Sequence, residues 1–94
     1  MLIKMPTVIF PRQLRQFTAG NAKHETKTTA FRTILDEIFA LYPGLVGPVA
    51  LPNGEIQPFI GIFVSGRRVS SEDMSTLSIA SDAEVAIISA VAGG

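Results

Sequence analysis

The 94-residue chain has no cysteine and no tryptophan, one tyrosine and one histidine, His24. Without cysteine there is no disulfide scaffold, no zinc–thiolate centre and no side-chain thiol nucleophile. A single histidine argues against a Ser-His-Asp triad and against a multi-histidine metal site. An excess of charge of either sign is also missing. Eight basic residues balance eight acidic ones, so composition offers no case for nucleic acid or an anionic membrane as a partner. No apolar run approaches the roughly 18 residues of a spanning helix. The start, Met1-Leu2-Ile3-Lys4, has no basic segment followed by a long apolar stretch, so no secretory signal is visible. A soluble, cytoplasmic domain is the expectation.

What is present is apolar content: 47% hydrophobic against 17% charged residues in 10.0 kDa, enough for one small domain around one core. The neutral total hides an asymmetry. Residues 1–32 hold six basic groups and one acidic group, whereas residues 33–94 hold two basic and seven acidic groups. The halves either attract one another in the fold, present two differently charged docking faces, or form a mixed solvated surface.

Hydrophobic periodicity predicts the elements. Residues 2–5 read as a short strand, and Pro6 stops its ladder because proline lacks the N–H. Residues 6–21 read as loop, punctuated by Pro6, Pro11, Gly20 and Asn21, with Val8, Ile9, Phe10, Leu14 and Phe17 needing cover. Residues 22–26 read as a second strand in hairpin with the first. A helix is predicted over 29–41, with Phe31, Ile34, Leu35, Ile38, Phe39, Leu41 and Tyr42 on one face, Thr28 or Thr29 as cap, and Pro43-Gly44 as stop. A loop follows to residue 58. The run 59–64, apolar on both faces, is a strand, Ser65-Gly66 a turn, and 67–69 a short return strand. Residues 70–82 are polar and turn-rich, anchored by Leu77 and Ile79, and 84–88 form the last strand. The order β, β, α, β, β, β suits an α+β roll, a mixed sheet wrapped over one helix.

The chain then runs through Ser89-Ala90-Val91-Ala92 into Gly93-Gly94. Two glycines suit a carboxylate that must enter a deep, narrow active site, because no Cβ stands beside it. Six residues reach at most about 20 Å. Attack of such a carboxylate on the α-phosphate of ATP gives an acyl-adenylate. A sulfur donor can then displace AMP and leave a thiocarboxylate on Gly94.

At these residues a resemblance enters. The ending Ala90-Val91-Ala92-Gly93-Gly94 resembles that of the ubiquitin-like sulfur carriers of the MoaD/ThiS family, most of all the carriers that serve a thiocarboxylate-dependent cysteine synthase. Molybdopterin synthase small subunits end in a related way. Upstream, residues 62–69, Leu77 and residues 85–88 are similar to the hairpin and last strand of ubiquitin, and Met5-Pro6-Thr7 and Thr18-Ala19-Gly20 to the first loop of the cysteine-type carriers. Many members of that family have a proline just before the final residues, where this chain has Ser89 and Ala90.

The resemblance implies a β-grasp domain over residues 1–88 and a flexible tail over 89–94. It makes Gly94 the residue adenylated and thiocarboxylated, and Gly93 its slender neighbour. It implies a protein cosubstrate rather than an enzyme. No cofactor is bound by the chain itself; Mg-ATP is used by a MoeB/ThiF-like adenylyltransferase. A rhodanese-like sulfurtransferase or sulfide supplies the sulfur, and a PLP-dependent synthase or another acceptor enzyme receives it. The alternatives are the small subunit of molybdopterin synthase and a ubiquitin-like modifier joined to lysines. The carried-over sheet pattern turns Ile60, Ile62, Val64, Val85 and Ile87 toward the helix. Phe59, Phe63 and Ile88 fall on the open face, as a docking patch or as a surface partly covered by the 6–21 and 44–58 loops.

The remaining polar residues carry less. His24 is expected as an exposed strand residue. Asp36 and Glu37, adjacent on a helix, point in different directions and suit no paired acid–base chemistry. Glu72-Asp73 and Asp82/Glu84 read as solvated turn residues. Arg67-Arg68 reads as a solvated hairpin, with an anion or a partner as the alternative.

Overall fold

The apolar stripe of residues 31–42 organises the molecule. In the computed structural model, which describes residues 4–89, it forms helix α1 (Phe31–Leu41), with Phe31, Ile34, Leu35 and Ile38 fully buried. Each such side chain contributes about 1.5–3 kcal/mol by leaving water. Leu41 faces solvent instead, because the helix ends there: the Tyr42 N–H still bonds the Ile38 carbonyl at 2.8 Å, and a 3-10 turn over Pro43–Leu45 follows.

The helix packs on a five-stranded sheet built from β1 (Thr7–Ile9), β2 (Lys23–Glu25), β3 (Ile60–Val64), β4 (Arg67–Arg68) and β5 (Glu84–Ser89), in the order β2-β1-β5-β3-β4. The β1–β5 pair is parallel and the other pairs are antiparallel. The inward residues Val8, Ile60, Ile62, Val85 and Ile87 are all buried, while Val64 is half-buried against the same core. Leu45 and Val49 close the core from the long α1–β3 connection. Ser65 (φ 47°) and Gly66 (φ 86°) both adopt the left-handed conformation, which matches the tight two-residue turn of a twisted hairpin.

Three expectations shift. The first strand is not residues 2–5: Met1–Ile3 lie outside the described residues, Lys4 and Met5 are in no strand, and the strand begins after Pro6. Proline is tolerated there because neither of the first bonds needs its missing N–H. The Thr7 N–H donates to Ala83 (3.0 Å), and the Pro6 carbonyl accepts from Thr26 (3.0 Å). The two flanking prolines made Val8-Ile9-Phe10 read as loop, whereas Val8 and Phe10 are core.

Second, residues 10–21 are an ordered cover. A 3-10 helix over Arg12–Phe17 buries Leu14, and the Phe10 and Tyr42 rings meet edge to face at 5.7 Å. The buried Thr18 hydroxyl donates to the Asn21 carbonyl at 2.8 Å. Third, Ala30 rather than a threonine stands at the helix N-cap. The 77–79 segment runs beside 29–31, so the Leu77 carbonyl takes the Phe31 N–H (3.0 Å) and Thr29 takes that of Ile79 (2.9 Å). Thr28 acts one step earlier, accepting from the Ala30 N–H at 3.1 Å.

Candidate functional site

The expected working end, Ala90, Val91, Ala92, Gly93 and Gly94, lies outside the described residues. The structure describes the strand that precedes it. β5 continues through Ser89, one residue past the predicted strand end, and Ser89 pairs with Ile60 at the start of β3. β1 pairs only with Glu84, Val85 and Ala86. Ile87, Ile88 and Ser89 lie past the β1 register and pair with Ile62, Gly61 and Ile60 of β3. β5 thus lies between β1 and β3 at its start and ends against the start of β3.

The outer face of the sheet lies around that point. Ile88 sits directly opposite Gly61 and is 46% exposed, and Phe63 is opposite Ala86 on one side and Arg68 on the other. Phe59 is 37% exposed but stands just before β3 rather than in it. Gly61 explains how these residues approach. A methyl group there would lie 3.1 Å from Phe63 Cε1 and 3.9 Å from the guanidinium carbon of Arg68. Glycine leaves a gap in the outer face, and the edge of the Phe63 ring and Arg68 converge over it. The sequence signal was available, since a glycine inside an apolar strand run marks close approach. What it was approached by required the fold.

Solved structures place this architecture. No protein-family profile matches the sequence, and no curated protein matches it. A chain of the Amycolatopsis orientalis BexX/CysO complex superposes with a TM-score of 0.79 at 25% identity, covering 95% of this chain and 99% of that one. Mycobacterium tuberculosis CysO, described as an antigen, gives 0.76 at 25% identity over 92% and 99%. Small archaeal modifier protein 1 of Methanosarcina acetivorans gives 0.78 over the whole of both chains, but at 18% identity that likeness speaks for the fold alone. The chain has the β-grasp fold of the ubiquitin-like sulfur carriers and modifiers. Such neighbours are small carriers and modifiers rather than enzymes, and they support a sulfur carrier as the class of this chain.

Within the β-grasp body the other candidate residues hold structure. His24 is not the exposed strand residue expected. Only 18% of its side chain is accessible, and its Nε2 reaches Glu37 Oε2 of α1 at 3.1 Å. The Thr26 hydroxyl, the largest influence, holds the Glu37 carboxyl below its ordinary range; burial opposes it, and His24 adds to the lowering by hydrogen bond and charge. Asp36 turns the other way and pairs with Arg32 at 2.7 Å, while Arg32 also donates to the Gly54 carbonyl. Asp73 accepts from the Ser70 hydroxyl at 3.1 Å. Among the described residues, ion pairs joining the basic and acidic halves are Arg32–Asp36 and Lys4–Asp82, the latter at 3.8 Å between exposed groups. The charge asymmetry is thus mainly a property of the solvated surface. Among the described residues no helix is long and apolar enough to cross a membrane.

Proposed function

We propose that this β-grasp protein is a sulfur carrier whose working group is the carboxylate of Gly94. The observation that carries the reading is positional. The central strand β5, paired on both sides at its start, delivers the chain past Ser89 toward Gly93-Gly94 in a fold that matches a chain of the BexX/CysO complex over 95% of its length. The body is a handle, and the end is the reagent.

In the proposed chemistry a carboxylate oxygen of Gly94 attacks the α-phosphorus of Mg-ATP, expelling pyrophosphate and giving the acyl-adenylate. Hydrosulfide then attacks the carbonyl carbon, AMP leaves, and a thiocarboxylate remains. A MoeB/ThiF-like adenylyltransferase provides the site for the first step. Sulfide, or a sulfurtransferase delivering its equivalent, provides the second. A PLP-dependent synthase of the cysteine type receives the sulfur. Phe59, Phe63 and Ile88 form the surface that these partners meet, since exposed apolar side chains near the end of β5 give docking energy where the end must enter an active site.

Intact-mass measurement of the full chain after incubation with that adenylyltransferase, Mg-ATP and sulfide tests the reading. The expected result is replacement of one oxygen by one sulfur, confined to the C-terminal peptide. A chain lacking Gly94 should show no such change. An unchanged mass in the native chain overturns the proposal, and Gly94 found joined to protein lysines in cells replaces it with a modifier. A stable complex with one large subunit points to the small subunit of molybdopterin synthase.

A further inference from the structure

Arg68 is a charged side chain of the outer face, set beside the apolar residues Phe63 and Ile88 near the end of β5. Its guanidinium carbon and the edge of Phe63 both reach the space left by Gly61, with Ile88 opposite and exposed. The outer-face carboxylates Glu25 and Glu84 lie at the far end of their strands, both in register with Thr7. Glu55 and Glu72 share with Arg68 the lining of an open groove of about 850 Å³ on the other side of β3, yet neither pairs with it. Among the described residues Arg68 makes no ion pair and no side-chain hydrogen bond; Arg12, Lys23, Lys27 and Arg67 also lack an ion pair, but Arg68 is the one whose guanidinium meets Phe63 over Gly61.

An arginine flanked by apolar surface is costly to cover. Any partner seated on Phe63 and Ile88 strips water from the guanidinium, and the loss is large unless a carboxylate replaces that water. The planar fork offers two parallel N–H donors, a geometry suited to one carboxylate. We propose that Arg68 is a recognition residue that donates to an Asp or Glu side chain of the activating enzyme, presented beside an apolar contact with Phe63 and Ile88. This rests on the carrier reading above and adds the chemistry of the partner's surface: apolar at its centre, acidic where it meets β4. Arg68 acts on docking and not on the reacting carbonyl, so it governs KM and leaves kcat alone.

The test is ATP–pyrophosphate exchange by the MoeB/ThiF-type adenylyltransferase of the same organism, measured against concentration of the full chain. Arg68→Glu should raise KM about tenfold or more at unchanged kcat, Arg68→Ala less, and Arg68→Lys should recover part of the loss. Because Arg68 is exposed, the melting temperature of all three should match the native chain, which separates docking from folding. Raising ionic strength from about 0.1 M to about 1 M shortens the screening length from about 10 Å to about 3 Å, and should raise KM of the native chain more than that of Arg68→Ala. If the native chain is activated but Arg68→Glu shows the same or a lower KM, the Arg68 assignment is wrong and the carrier reading stands. A native chain that the enzyme does not activate overturns both.

Discussion

Ile62 and Phe63 are neighbours in β3, yet Ile62 is fully buried under α1 while Phe63 is half exposed on the far side of the sheet. Across the ladder, Ile87 is buried and Ile88 is 46% exposed. Each strand spends equally apolar residues on opposite faces. The inner set contributes stability, and the outer set leaves apolar area uncovered near the end of β5. The difference teaches that hydrophobicity in this strand run serves two purposes, which residue type alone does not separate.

Replacing one residue from each set exposes the contrast most strongly. Ile62→Ala should cost about 2–5 kcal/mol in urea unfolding, through lost burial and the cavity left behind. Ile88→Ala should stay within about 0.5 kcal/mol while weakening activation by the adenylyltransferase. Equal losses of stability would show that the outer face is covered in solution.

A second variant sharpens the comparison by trading one purpose for the other. Gly61→Ala removes the excess backbone freedom of a strand glycine, and the far edge of the half-buried Phe63 ring can yield the few tenths of an ångström required. It should raise stability by about 0.5–1 kcal/mol and at the same time raise KM for activation, because the Phe63 ring shifts and the methyl fills the gap beside Arg68. A destabilised protein would mean that the Phe63 ring is held more rigidly than its exposure suggests.

The smallest effect belongs to the seam between β2 and α1. The Glu37 carboxyl is held below its ordinary value of 4.5, first by Thr26 and then by His24, so its contribution is complete above that pH and is lost as pH falls through the lower folded-state value. Urea midpoints should therefore fall slightly more on acidification for the native chain than for Glu37→Gln. Identical acid sensitivity would show that the seam contributes nothing.

Much of the fold was legible because it depends on local pattern. The 3.6-residue stripe of Phe31, Ile34, Leu35 and Ile38, the Pro43 stop and the Ser65-Gly66 turn each follow from backbone geometry acting on near neighbours, whereas the inward set Ile60, Ile62, Val85 and Ile87 comes from the family resemblance, because the 59–64 run is apolar on both faces. The first strand was missed because prolines on both sides outweighed three apolar residues, and it is pairing with β2 on one side and with β5, more than seventy positions later, on the other that makes Val8 a strand residue. The Leu77 carbonyl at the helix start was hidden for the same reason, since a backbone acceptor carries no residue signature.

At the candidate site the division is similar. Sequence by itself determined the glycine pair at positions 93 and 94, the strand that leads to it and the glycine inside β3, because composition and short-range spacing are enough to specify them. Tertiary structure alone decided that β5 is the central strand, that Ile88 stands across from Gly61, and that Arg68 and Phe63 meet over the same gap. Those contacts join residues 20 or more positions apart or across a turn, where sheet register rather than local preference sets the distance.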